Sequence, residues 1–309
     1  MSKSIPLLQV ARPEDARAWV QLAYPIGSPL PPDSLQAQVS AFNAPPTDVD
    51  ESRFIAWLGD KPIARASFVQ MENVVELRDF VVADGYVTEY GPTILRDIAE
   101  AARPRGNILT VDFYPPAYRG SFLGAGFKQN TRTRMIRSLA DYAEQTVELP
   151  AGVTLRRPVF GDEAAMAEMA YQNYVGTPDE EMVSAGRAQG AAIIRAMFHN
   201  DYNLLNPAGS FLAVDNSGKL VGDVLLADAG QTPGEGLAWI MDISVAPAYR
   251  GKGLGKALML SAMNAAHRQA YQRIGLLVTI GNARAQALYR SLGFEAYGEL
   301  LYEAAMRLE

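Results

Sequence analysis

Cysteine is absent from the 309 residues. That excludes disulfides, a thiolate nucleophile and a zinc ribbon. Histidine is nearly absent too: only His199 and His267 occur, which speaks against a His-rich metal site. No metal is expected, and any catalysis falls to Tyr, Asp, Glu, Ser, Lys or the backbone. Long apolar runs are missing, and no segment approaches the ~18 consecutive apolar residues that a membrane span needs. Residues 1–10 carry one lysine and a short apolar run, too weak for a signal peptide. A cytoplasmic protein without a membrane partner is expected. Positive charge is also short. A net charge of −6 argues against a general nucleic-acid binder, which needs clustered Lys and Arg, and it suits a cationic amine as substrate.

What is present is ordinary for a globular protein: 49% apolar and 20% charged residues. The length is generous for one core, and two domains are expected. Residues 79–102 align without a gap on residues 242–265. Identical pairs include Asp79/Asp242, Val82/Val245, Ala83/Ala246, Tyr86/Tyr249, Leu95/Leu258, Ala99/Ala262 and Ala102/Ala265. Each stretch reads as a β-rich run, a polar turn and a helical pattern. Other landmarks recur in the same order. Arg12-Pro13 answers Arg157-Pro158, and Phe54-Ile55-Ala56 answers Phe211-Leu212-Ala213, each before a hairpin signal. Gly126-Phe127 answers Gly293-Phe294, each followed by a final strand-like segment that closes its repeat. A duplication explains this ordering, with a boundary within residues 141–152, where Leu149-Pro150-Ala151-Gly152 breaks the pattern. The halves are 1–145 and 152–309. Proline-rich stretches at residues 25–33 and 44–50 read as surface loops.

The strongest chemical signal follows a β-branched run, residues 239–245, which closes at Pro247. Then comes Arg250-Gly251-Lys252-Gly253-Leu254-Gly255, and Leu254, Ala257, Leu258, Ala262 and Ala265 recur at helical spacing. Strand, glycine turn and helix start form a phosphate-binding device, because glycines let backbone N–H groups converge beside the positive helix end. A Walker loop is excluded, since Arg250 stands at its first glycine and Ala257 at its hydroxyl. A dinucleotide fingerprint is excluded too, since Lys256 replaces its third glycine.

Arg-x-x-Gly-x-Gly resembles the acetyl-CoA loop of the GNAT acetyltransferase superfamily. A second motif lies about thirty residues on: Asn282-x-x-Ala285-x-x-Leu288-Tyr289-x3-Gly293-Phe294 is similar to the closing helix of GNAT domains. The resemblance covers roughly residues 153–309 and, more loosely, the chain as a tandem of two such domains. It implies an α/β fold in which each domain is a mostly antiparallel mixed sheet flanked by helices. It implies acetyl-CoA as co-substrate, coenzyme A as product, and a small-molecule or peptide amine as acceptor in a monomer or homodimer. It also implies coenzyme contacts from the backbone of Ile243, Ser244 and Val245, from Arg250, Gly251, Lys252, Gly253, Leu254, Gly255 and Lys256, and from Asn282 and Ala285. Tyr289 falls where the family places its general acid.

The first half departs from this pattern at its loop. Val87-Thr88-Glu89-Tyr90-Gly91-Pro92 lacks the arginine, and Glu89 would repel a diphosphate. Pro92 has no N–H to give. A degenerate copy that does not hold coenzyme is expected. For the base, Asp242 leads, as an acid within an apolar strand, although Asp79 at the matching point allows a purely structural carboxylate. Glu235, Glu180, Glu181 and the terminal carboxylate of Glu309 are weaker options. Thr177-Pro178-Asp179-Glu180-Glu181 reads equally well as a capped helix start. The helical pattern at 163–174 and the stretch to His199 are expected to line the acceptor pocket. Met166, Met169 and Met182 read as packing, and His199 has no nameable partner. Direct transfer in a ternary complex is expected. The alternatives are a non-catalytic acyl-CoA sensor, and a mycothiol-synthase-like or aminoglycoside-modifying tandem acetyltransferase.

Overall fold

The computed structural model describes residues 5–23, 31–44, 50–71, 74–174, 205–229 and 236–308. Contacts divide the chain into two units, Met1–Asn130 with Leu301–Glu309, and Thr131–Leu300.

The first unit opens with β1 (Leu7–Val10), α1 (Ala16–Gln21) and α2 (Pro32–Asn43). Pro32 is in the first turn of α2, where its missing N–H costs nothing, so this end of the proline-rich stretch is helix and not loop. Next come β2 (Glu51–Leu58), β3 (Lys61–Met71), β4 (Val74–Val82), α3 (Val87–Ala102), β5 (Ile108–Tyr114) and α4 (Arg119–Ala125). A two-residue turn, Gly59-Asp60, joins β2 to β3, with Gly59 at a left-handed φ of 59°. The strands lie in the order β1-β2-β3-β4-β5, antiparallel except for β4 against β5. β5 is then paired by the end of the chain's last strand, β12 (Glu295–Arg307), as in Ala304↔Val111 and Arg307↔Ile108. Phe54, Ala56, Ile63, Phe68, Val75 and Leu77 alternate inward along the strands. They pack on the stripe Ile94, Leu95, Ile98 and Ala102 of α3.

The second unit contains most of β6 (Lys128–Ser138), then β7 (Val153–Arg156), α5 (Glu163–Tyr174), β8 (Phe211–Asp215), β9 (Leu220–Asp228) and β10 (Leu237–Val245). α6 (Leu254–Arg268), β11 (Arg273–Thr279) and α7 (Ala283–Ser291) follow. Its strands lie in the order β6-β11-β10-β9-β8-β7 and are antiparallel except for β10 against β11. α6 is buried on most sides, with Leu254, Leu258, Met259, Ala262 and Met263 in the core. Gly222 of β9 lets it settle, since a Cβ there would stand 3.1 Å from Leu258 Cδ1. Met166 and Met169 of α5 are buried packing residues.

Each unit therefore takes a final strand that the repeat pattern alone would give to the other half. The sequence division at 1–145 and 152–309 differs from the contact division in this respect. β6 pairs along β11 from Arg273↔Ser138 to Thr279↔Arg132, and β12 goes to β5. Period-two alternation reads the same whichever neighbour a strand finds. Among the described residues no helix is long and apolar enough to cross a membrane.

Candidate active site

β10 and β11 pair in parallel only from Leu237↔Arg273 to Ile240↔Leu276. On its other edge, the register of β10 against β9 slips, with Ile240 opposite Leu226 and Asp242 opposite Leu225. Met241 is the extra residue, and such a bulge bends a strand and ends its pairing. Beyond it the two strands part around a cleft of about 760 Å³, within the range of small-molecule sites. The cleft runs from Ile240 and Leu276 past Val245 and Thr279 to the starts of α6 and α7.

At its far end the glycine turn behaves as its residues dictate. Gly251 (φ 79°) and Gly253 (φ 87°) take left-handed conformations that favour glycine. Gly253 caps α6, whose first N–H groups have no partner within the helix. Gly251, Gly253, Leu254, Gly255 and Lys256 line the cleft, as do Arg250, Asn282 and Ala285. The Arg250 guanidinium is partly committed. Its Nε donates to Val245 O at 3.0 Å and its Nη2 to Asn173 Oδ1 at 3.0 Å. Lys252 is outside the lining, its Nζ 5.3 Å from the centre of the Tyr249 ring. Asn282 caps α7, its Oδ1 accepting from Ala285 N at 3.1 Å.

Of the three strand amides expected to face a coenzyme, Ser244 is a correction. Its N–H donates to Asp223 Oδ1 at 2.9 Å and so points toward β9. Alternation along the strand puts the N–H groups of Ile243 and Val245 on the opposite edge, toward the cleft. Ser244 still lines the cleft, with its hydroxyl 3.4 Å from Asp242 Oδ2.

Two carboxylates share this face. Asp242 receives the Tyr174 hydroxyl at 3.2 Å. Burial pushes its carboxyl above the ordinary range, opposed by that hydroxyl, by Ser244, by the Ile243 amide and by Arg132. Asp223, 1% exposed, goes well above it, because burial and the Asp242 charge both disfavour ionisation. Tyr289 is buried at the cleft wall, its phenol pushed up by burial and by Asp242, so it is protonated at neutral pH. Asn173, Tyr174, Arg132 and Asp223 were missed as individual site residues. Only the helical pattern of α5 pointed toward the first two. Arg132 belongs to a strand read as the close of the first repeat, and Asp223 to a hairpin with no motif. Among the described residues no group of three His, Asp or Glu side chains is placed to hold a metal ion. Glu180, Glu181, Glu235, Glu309, Thr177, Met182 and His199 lie outside the described residues, as do residues 25–30 and 45–49 of the proline-rich stretches.

The first unit repeats the strand geometry. Ser67 is opposite Asp79 and Phe68 opposite Leu77, which makes Arg78 the bulge, and β4 pairs with β5 only from Val74↔Ile108 to Glu76↔Thr110. Its opening is smaller, however, a cavity of about 290 Å³ beside Tyr118 and the end of β4. The Tyr118 hydroxyl accepts from Val82 N at 3.1 Å, and Ser121 Oγ donates to Val87 O at 2.9 Å. Arg96 donates to Gly124 O at 2.9 Å, and a Cβ on Gly91 would run into Ser121. On the repeat alignment α3 starts at the counterpart of Arg250, one turn before α6 does, so helix replaces the loop. Asp79 is paired with Arg65 at 2.7 Å.

A strand-splayed cleft leading to a glycine turn at a helix start defines the GNAT fold, and residues 178–294 match the acetyltransferase (GNAT) family. The chain carries a GNAT acetyltransferase domain. It is similar to a mycothiol acetyltransferase of Renibacterium salmoninarum, at 29% identity over 55% of this chain and 49% of that protein. A mycothiol acetyltransferase of Saccharomonospora viridis is 29% identical over 67% of this chain and 66% of its own. The chain spans about half the length of the first of these curated relatives. Among solved structures, a GCN5-related N-acetyltransferase from Sphaerobacter thermophilus has a TM-score of 0.57 at 17% identity, covering 98% of this chain and 96% of that one. A tandem GNAT protein from the clavulanic acid biosynthesis pathway has a TM-score of 0.51 at 15% identity, covering 98% and 99%. At these identities the likeness is one of fold.

Proposed function

We propose that the second unit binds acetyl-CoA and transfers its acetyl group to a primary amine of a small molecule or peptide. The observation that carries this reading is the Met241 bulge, which opens the Ile243 and Val245 amides onto a cleft continuous with Gly251 and the start of α6. The amine nitrogen attacks the thioester carbonyl in a ternary complex. The C–N bond forms, the C–S bond breaks, and the amine proton passes to Asp242, directly or through water. Tyr289 gives its proton to the departing thiolate. Main-chain N–H groups on the cleft edge of β10 stabilise the oxyanion. The first unit is a narrowed copy, with Tyr118 bonded to the Val82 amide and Ser121 to Val87 O, and it holds no coenzyme.

A thiol-release assay with acetyl-CoA against amines, polyamines, amino acids, aminoglycosides and peptides tests this reading. The amine precursor of mycothiol belongs in the panel, because the relatives named above are mycothiol acetyltransferases. Saturable, amine-dependent thiol release is expected. Tight coenzyme binding without release for any amine, together with indifference to Tyr289→Phe, would favour a sensor instead.

A further inference from the structure

We infer that Asn173 is a further coenzyme contact, its side-chain amide donating a hydrogen bond to an oxygen of acetyl-CoA beside the end of β10. The inference rests on the reading of the cleft given above.

Asn173 is the penultimate residue of α5, lines the cleft and is only 9% exposed. Its two amide ends are treated differently. Oδ1 accepts from Arg250 Nη2 at 3.0 Å, and the main-chain oxygen of Asn173 lies 3.5 Å from the same nitrogen. An arginine has only donors to offer, so it fixes which end of the amide faces it. The other end, Nδ2, is buried and has no hydrogen-bond partner among the described residues. Folded proteins leave few such groups, and a buried donor without an acceptor destabilises the apo protein.

The residue type sharpens the point. If the role of position 173 were only to hold Arg250, aspartate would do it better through a charged hydrogen bond. Asparagine keeps that contact and adds a donor, which is useful only when an acceptor arrives. Arg250 also ties Val245 O at 3.0 Å, so Asn173, the end of β10 and the glycine turn are fastened around one point of the cleft. A coenzyme running from the splayed strands to the start of α6 passes that point with its pantetheine carbonyls or its diphosphate. Both supply oxygen acceptors. Arg250 therefore acts in part as a positioning residue for Asn173.

The test is coenzyme A affinity by calorimetry for wild type, Asn173→Leu and Asn173→Asp, with unliganded melting temperatures alongside. Leucine keeps the branched shape, with four heavy side-chain atoms, and removes the unsatisfied donor. Aspartate keeps an oxygen for Arg250 but turns a donor into an acceptor. Both variants are expected to lose about tenfold or more in affinity, one hydrogen bond's worth, while the leucine variant melts no lower than wild type. If leucine does unfold the chain, the aspartate variant carries the test. Repeating the measurement with 3′-phospho-ADP separates the two sources. A loss confined to coenzyme A points to a pantetheine carbonyl, and a loss for both points to the diphosphate. Wild-type coenzyme affinity in a folded variant would overturn the inference alone, whereas a wild-type protein that binds no coenzyme would overturn the reading beneath it.

Discussion

Asp242 and Asp79 stand at equivalent points of two strands, yet their neighbours differ in sign. Opposite the position two residues beyond Asp79, β3 supplies Arg65, which pairs with that aspartate. At the same place in the second unit β9 supplies Asp223. Burial raises the carboxyl in both units, but at Asp79 the Arg65 guanidinium opposes the rise, while at Asp223 the Asp242 charge adds to it. This gives two expectations. The acidic limb of a kcat/KM profile should lie above the ordinary carboxylate range, and Asp242→Asn should remove it. Folding stability follows the same linkage. Burial raises both carboxyls, so the folded state holds more protons than the unfolded one. Their contribution is present below the unfolded value of about 3.9 and is lost as pH rises through the folded values. Thermal melts over a rising pH series should therefore show a weaker decline in Asp223→Asn than in wild type. Tyr289→Phe is expected to lower kcat by about 10²-fold or more, the usual scale of general acid catalysis, with little change in coenzyme affinity. Steady-state kinetics beside calorimetry would show a different split if Tyr289 only packs. Lys256 lines the cleft and Lys252 does not. Lys256→Glu should therefore weaken coenzyme binding more than Lys252→Glu, and equal losses would contradict this.

Strand β10 and helix α6 depend on one extra residue and two left-handed glycines. Deleting Met241 would carry the β9 register straight through, with Asp242 still opposite Leu225, and would remove the bend that parts β10 from β11. The expected result is a folded unit with no measurable coenzyme binding. Retained binding would mean that the cleft does not depend on the bulge. Gly253 has a φ of 87° with open space around its Cβ position. Gly253→Val should thus cost about 1–2 kcal/mol from backbone strain alone, readable in denaturant unfolding. Helix α3 shows the alternative outcome of the same plan. Without glycines at the positions matching 251 and 253, residues 87–90 wind into helix, with Glu89 in the favourable first turn. The departure legible at Glu89 and Pro92 was electrostatic. The structure adds a steric one, since Tyr118 sits on the Val82 amide.

The strand exchange bears on how the chain can be cut. A fragment ending at residue 145 lacks the segment Leu301–Glu309 that pairs with β5, and a fragment starting at 152 lacks the β6 partner of β11. Neither fragment alone should give a well-dispersed amide spectrum, whereas co-expression of the two should restore one. Coenzyme should bind once per chain, and Glu89→Ala should leave that stoichiometry unchanged in calorimetry.

The repeat register 79–102 on 242–265, the glycine turn at 250–255 and the capped helix after Asn282 were all legible in the amino-acid order. Each is a short-range matter: side-chain periodicity, left-handed glycines, and a cap that reaches three residues along the chain. The placement of Arg132, Asn173 and Tyr174 around one cleft, with Asp223 behind Ser244 and Asp242, was not, nor was the exchange of β6 and β12. Those depend on which of several similar strands pair over separations of a hundred residues or more. The alternating pattern that buries a strand leaves its partner open, and register and packing in three dimensions make the choice.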